Sequence, residues 1–268
     1  MEQFISSNFS FGLGSVLVGV SAFVVLNLGL VIFLGSKDIT ARAFAVMSFF
    51  FVVWSLCNLL MTVSVQTSFL GNIFSRLAYA LGVTVTFSLS YCCYVQITKK
   101  RNTNLEITYF FLAIILMYLM LQTNYLFLDG KWVGRVSWAG VQLWINKEGP
   151  LAFVWYFFYA GPIFLGAGAL FLQAKKEQDS ARKKQFLSLF WIVLIGFIPP
   201  TILSVILPSY GIQSYDWIGG TAGILWVSVT SYILLRKDHS EQVFPVLIVK
   251  AELIVIAMIF LFGIGMFY

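Results

Sequence analysis

Long apolar runs recur eight times in this sequence, over the rounded limits 11–35, 41–64, 74–97, 107–128, 150–174, 184–208, 217–235 and 244–268. As helices, each is long enough to cross a hydrocarbon layer of ~30 Å, which takes about 20 residues at 1.5 Å per residue. They are too long for strands and lack the strict alternation of an outer-membrane barrel. The first is not expected to be a cleavable signal peptide, because Glu2 precedes it instead of basic residues and no clean small-residue cleavage site follows. The expected fold is an all-α, polytopic helical membrane bundle.

Composition agrees with this. Of 268 residues, 60% are apolar and 10% charged, against about 45–50% and about 25% in soluble domains. A soluble core of this size would leave a large apolar excess in water, and a disordered chain of this composition could not stay solvated. The net charge of +6 does not point to nucleic acid, because the basic residues lie mostly in short gaps and no soluble face presents them. The gaps after runs one, three, five and seven hold twelve: Lys37, Arg42, Lys99, Lys100, Arg101, Lys175, Lys176, Arg182, Lys183, Lys184, Arg236 and Lys237. The other side holds four, Arg76, Lys131, Arg135 and Lys147. That asymmetry predicts an outside N-terminus and cytoplasmic odd-numbered gaps. The stretch KKEQDSARKK (175–184) reads as an anchor and helical extension. Cys57, Cys92 and Cys93 fall inside apolar runs and read as small core hydrophobes.

Charges at the bilayer centre cost at least ~2.5–3.5 kcal/mol, so they normally mark transport or proton relay. Runs one to seven contain almost none. Arg76 stands at the outer start of run three, where its head group is expected to reach the interface. Lys250 and Glu252 lie a few residues into run eight and read as an interfacial pair with separate partners. A retinal Schiff base on Lys250 lacks a carboxylate counter-ion in run three. His239 falls in a cytoplasmic gap, which removes a Ser–His pair or a zinc-protease helix. No catalytic group, metal site or cofactor is expected in this chain.

Two features point to a recess. Run six carries Pro199-Pro200 and run five Gly161-Pro162, and proline removes a backbone donor and disturbs the turn before it. Run seven opens with Gly219 and Gly223, a face for another helix or space for a ligand. Around this level lie Trp155, Tyr156, Tyr159, Thr201, Ser204, Trp226 and, on run four, Gln122, Asn124 and Tyr125. Aromatic walls with a few hydrogen-bonding tips suit a small amphipathic ligand. Ordinary helix packing with an interfacial aromatic belt accounts for each residue taken singly. The gap 129–149 alternates bulky and small residues between turn formers at Asp129-Gly130 and Asn146 to Gly149, with Ala139-Gly140 between, so a β-hairpin is expected there. Its Trp132, Trp138 and Trp144 suit either a lid or insertion among headgroups. Asp216 is placed to cap run seven. Asn8-Phe9-Ser10 is a glycosylation sequon, relevant in a eukaryotic host.

Runs two and three read ARAFAVMSFFFVVWSLCNLL and FSRLAYALGVTVTFSLSYCCY, with Arg42 at the start, a mid-helix Trp54 and Arg-Leu-x-Tyr from Arg76 to Tyr79. With Gly149-Pro150, KKQFLSLFWIVLIGFIPP in run six and SYILLRK (231–237), this resembles the N-terminal seven-helix sensor region of bacterial histidine kinases. The eighth run is similar to the acyl-homoserine-lactone quorum-sensing receptor kinases. The resemblance covers most of residues 11 to 237. It implies a seven-helix membrane sensor domain over 1–237, an additional helix over 238–268 and an extracytoplasmic hairpin. It also implies a multi-pass receptor in the bacterial inner membrane. A small hydrophobic or amphipathic signal, such as an acyl-homoserine lactone, would bind between helices four to seven. Output would run through a cytoplasmic histidine kinase in a two-component system, or through a diguanylate cyclase, with homodimerisation through that domain. No transmitter follows in this sequence, so the chain is expected to be the membrane part of a longer protein or to work without one. Membrane lipid and the signal are the expected partners, and a small-solute transporter is the competing reading.

Overall fold

The computed structural model describes residues 12–64, 69–136 and 141–207. In chain order these form α1 (Leu13–Gly35), α2 (Ile39–Val63), α3 (Phe69–Thr98), α4 (Thr103–Gln122), β1 (Phe127–Val136), β2 (Val141–Glu148), α5 (Ala152–Lys176) and α6 (Ser180–Thr201), the last running into a π-helical turn at Ile202–Ile206. Five of these helices, α1 to α5, are long and apolar enough to cross a membrane. Each matches one of the first five apolar runs, and α6 matches the sixth. Runs seven and eight lie outside the described residues, as do Asp216, Gly219, Gly223, Trp226, His239, Lys250 and Glu252.

The short polar gaps supply the helix caps. The Asp38 carboxylate accepts from the backbone N–H groups of Thr40 and Ala41 at 3.0 and 3.2 Å, and Asn102 Oδ1 accepts from Leu105 N at 3.1 Å. These satisfy N–H groups that the first turn of a helix leaves without a partner. Asp179 does the same for Ala181 N at 2.9 Å. The basic stretch divides as its sequence suggests: Lys175 and Lys176 end α5, and Arg182, Lys183 and Lys184 ride on the first turns of α6. At the α3–α4 gap Arg101 Nη2 meets Glu106 Oε2 at 2.7 Å, and this carboxylate raises the pKa of the exposed guanidinium further. Lys99 Nζ donates to Thr40 Oγ1 at 3.0 Å and to Gln96 Oε1 at 3.3 Å, tying this gap to the start of α2.

Helix α3 is the axis of the bundle. It packs against α2, α4, α5 and both strands, while α1 lies on α2 and α6 on α5. Within their apolar windows 78% of α3 is buried but only 17% of α4, which therefore flanks the bundle with just Leu116 and Met120 enclosed. Close approaches use small residues, as helices in lipid do when dispersion replaces the hydrophobic drive. A side chain at Gly29 would begin 3.2 Å from Ser48 Cβ, and one at Gly166 3.2 Å from Cys93 Sγ and 3.3 Å from Ser90 Cα. Cys57, Cys92 and Cys93 are buried free thiols.

The structure corrects two boundaries. Run four does not stay helical to residue 128: α4 stops at Gln122, where Thr123 Oγ1 donates to Leu119 O at 2.6 Å. Leu126 and Phe127 are apolar because they enter the core beside α3 and α5, not because they face lipid. The hairpin forms with its connection at 137–140, which is outside the described residues and includes Trp138, Ala139 and Gly140. Asp129-Gly130 is not a turn. It lies inside β1 at a register shift between Phe127 and Gly130, and a second shift falls between Trp132 and Gly134. Such bulges sharpen the twist of a two-stranded ribbon.

Candidate functional site

Trp144 decides where the hairpin sits. Its side chain is buried, its Nε1 donates to Ser64 O at 2.9 Å, and it lies so close to Gly71 that any side chain there would run into the indole. Trp132 pairs with Trp144 across the strands. The hairpin is therefore pinned at the α2–α3 end, its strands resting mainly on α3 and α2. Trp144 is therefore a buried anchor and does not stand out among headgroups.

Between the hairpin base and α5 lies a polar and aromatic junction. Arg76 on α3 is 7% exposed, so it turns into the protein instead of reaching an interface. Its Nη2 donates to Thr123 O, and to Asn124 Oδ1 and Phe127 O, both at 3.3 Å. A guanidinium has the donors for this, and the cation holds the α4–β1 turn on α3. Beside it Tyr79, Phe127, Trp155 and Tyr156 form a cluster of tilted and edge-on rings with centroids 4.6 to 6.4 Å apart. Trp155 is 1% exposed and donates from Nε1 to Tyr79 O at 3.0 Å. Its ring stacks on Tyr159 at 4.8 Å.

Below this cluster comes the proline level. Pro162 has no N–H to give to Phe158 O one turn back. Thr86 Oγ1 on α3 donates there instead at 3.4 Å, while also reaching Val83 O at 2.9 Å. Helix α5 continues unbroken through Pro162. On α6 the backbone passes Pro199-Pro200 and widens into the π-helical turn that contains Ser204. The Tyr159 hydroxyl and Thr201 Oγ1 lie 3.3 Å apart, joining α5 to α6 at that point.

The expected site residues thus separate into groups. Trp155, Tyr156, Tyr159 and Thr201 come together along α5 and α6, with the Tyr156 hydroxyl donating to Glu148 Oε1 at 2.6 Å. Gln122 at the end of α4 and Asn124 and Tyr125 on the α4–β1 turn stand exposed. Trp138 and Trp226 fall outside the described residues. Sequence reasoning noted Trp54 in mid-helix but placed neither it nor Gly82 at the site. A side chain at Gly82 would begin 3.6 Å from both Trp54 Nε1 and Tyr159 Cε2, so α2, α3 and α5 meet there. The signal available was a glycine in mid-helix opposite a mid-helix tryptophan. Among the described residues no group of three His, Cys, Asp or Glu side chains is placed to hold a metal ion. No protein-family model matches the chain, and no curated protein matches it.

Proposed function

We propose that this chain is the membrane-embedded sensor of a signal receptor, binding a small hydrophobic or amphipathic molecule between helices four to seven. The observation that carries the reading is the Tyr159–Thr201 hydroxyl pair beside Pro199-Pro200. Two hydroxyls bonded mainly to one another in an apolar bundle retain donor and acceptor capacity for a third group. They also join helices whose regular backbone bonding is interrupted at Pro162 and at the π-helical turn, a deviation that often accompanies function. A ligand there shifts the population of helix arrangements toward the one it contacts better. In this reading the N-terminus and hairpin are extracytoplasmic in a bacterial inner membrane, and output passes to a kinase or diguanylate cyclase.

The test uses the full chain in phospholipid nanodiscs with an N-dodecanoyl lactone, dodecanoic acid and a long-chain ketone. A ligand at 100 times its Kd stabilises the folded chain by about 2.7 kcal/mol, so thermal unfolding should rise with one of them, and Tyr159→Phe with Thr201→Val should diminish the shift. Accumulation of that compound inside sealed vesicles would mark a transporter instead. Labelling that placed the N-terminus in the cytosol would overturn the assigned sidedness.

A further inference from the structure

The α1–α2, α3–α4 and α5–α6 gaps gather at one end of the bundle. Lys99 Nζ reaches Thr40 Oγ1, which joins the first two. Helix α5 runs parallel to α3, with Trp155 bonded to Tyr79 and Gly166 set against Ser90 and Cys93. Lys175 lies as far beyond Gly166 as Lys99 lies beyond Ser90, so the α5–α6 corner comes to the same level.

Among the described residues this end holds ten Lys and Arg against four Asp and Glu. The four acids are already engaged. Asp38 caps α2 and faces Lys99 Nζ at 3.9 Å, and Glu106 meets Arg101 at 2.7 Å. Glu177 lies 4.0 Å from Arg182, and Asp179 caps Ala181 N. The excess cation therefore collects on the α5–α6 corner, where Lys175, Lys176, Lys183 and Lys184 all stand exposed.

The exposed faces above this corner are ordered. On α5, Leu165, Ala169, Leu172 and Lys176 are exposed at helical spacing, so an apolar stripe ends in a cation. On α6, Lys184, Ser188, Trp191 and Ile195 repeat the order from the other direction: a cation, a hydroxyl, then apolar groups. Lys175 Nζ lies over the ring of Phe171 at 4.5 Å, so its stem folds back along the apolar helix instead of projecting off the end of the bundle. Charge held beside an apolar stripe matches an amphiphile better than it matches a water-soluble partner.

We propose that the α5–α6 corner binds anionic phospholipid, with Lys176 and Lys184 meeting headgroup phosphates and the two stripes meeting acyl chains. A zwitterionic headgroup brings its own cation, so an unmatched cluster of lysines selects for net negative charge. This surface is separate from the Tyr159–Thr201 pair and does not depend on the receptor reading.

The experiment uses the full chain in dodecyl maltoside micelles with equal amounts of phosphatidylcholine and phosphatidylglycerol of the same acyl chains. Native mass spectrometry counts the lipids retained, and phosphatidylglycerol should be in clear excess. A lysine at an anionic surface is worth about fivefold in binding. Lys176→Gln and Lys184→Gln should each lower the excess by up to about that factor, and the pair should lower it further. Lys176→Arg with Lys184→Arg should preserve it, and Lys131→Gln on the hairpin should leave it unchanged. Lysines beside helix ends also guide insertion, so the unaltered chain supplies a second measurement: its excess should shrink steeply as ammonium acetate is raised. Inorganic phosphate should not displace the lipid, and displacement would mark an ion site in its place. Equal retention of the two lipids, or an excess indifferent to salt and to both Gln substitutions, overturns the proposal and leaves the corner to an acidic protein segment.

Discussion

The two halves of α5, on either side of Pro162, are held to the bundle by different means. Toward Lys176 the helix lies backbone-close on α3, with Gly166 against Ser90 and Cys93, and with Ala167, Leu170 and Ala174 buried. Toward Ala152 it is held through side chains: Trp155 bonded to Tyr79, Tyr156 to Glu148, Tyr159 to Thr201. Close packing of small residues leaves one arrangement, because the interface has nothing to rotate. Rings and hydroxyls can exchange partners at modest cost, so in the receptor reading proposed above the aromatic half is the one that responds to a ligand.

That contrast can be broken in three places, and a fourth test, on α2, sharpens what burial of a lone hydroxyl costs. Trp155→Ala removes the largest fully buried side chain among the described residues and should cost about 3–5 kcal/mol, read as a collapse of the unfolding temperature in detergent. Retention of full stability would mean that the aromatic half is not held by its rings. Gly166→Leu should cost about 1–3 kcal/mol through overpacking. The control is Gly161→Leu, only five positions away, where a new Cβ meets nothing within 4 Å; equal effects at the two glycines would erase the distinction between the halves. Thr86→Val should cost about 0.5–1.5 kcal/mol by stripping the carbonyl of Phe158 of its donor. In a Pro162→Ala background the helix supplies that donor itself, so a double-mutant cycle should show the penalty disappearing. The smallest effect is at Ser55, fully buried on α2 with no partner for its hydroxyl among the described residues. Ser55→Ala should be neutral or raise the unfolding temperature slightly, and a clear loss would reveal an acceptor.

Apolar length and polar punctuation carry the helices, which is why α1, α2, α3 and α5 begin and end within a few residues of their apolar runs. The same criterion fails at residues 123–128, because Leu126 and Phe127 are as apolar entering a core as they would be in lipid. It misplaces Arg76 for a related reason: a cation near the end of a run can reach water or fold inward onto carbonyls, and only the arrival of Thr123, Asn124 and Phe127 from 47 to 51 residues away decides. Which residues face each other is hidden most of all. In lipid a helix is apolar on every side, so the periodicity that marks the inner face of a soluble helix is lost. Tyr159 and Thr201 were legible as aromatic and polar residues beside prolines, though not as partners. The meeting of Trp54 with Gly82 required the packing of α2 on α3, which no local pattern announces.

Gly71 and Trp144 have a consequence for assembly. The seat on α3 and the carbonyl of Ser64 emerge from the ribosome about 70 to 80 residues before the indole that fills them. During vectorial synthesis this corner of the nascent protein must wait, its carbonyl served by water or headgroups, until the second strand swings back. The latch is therefore a late event in biogenesis, and a ribosome stalled between these positions would leave the notch open to a chaperone.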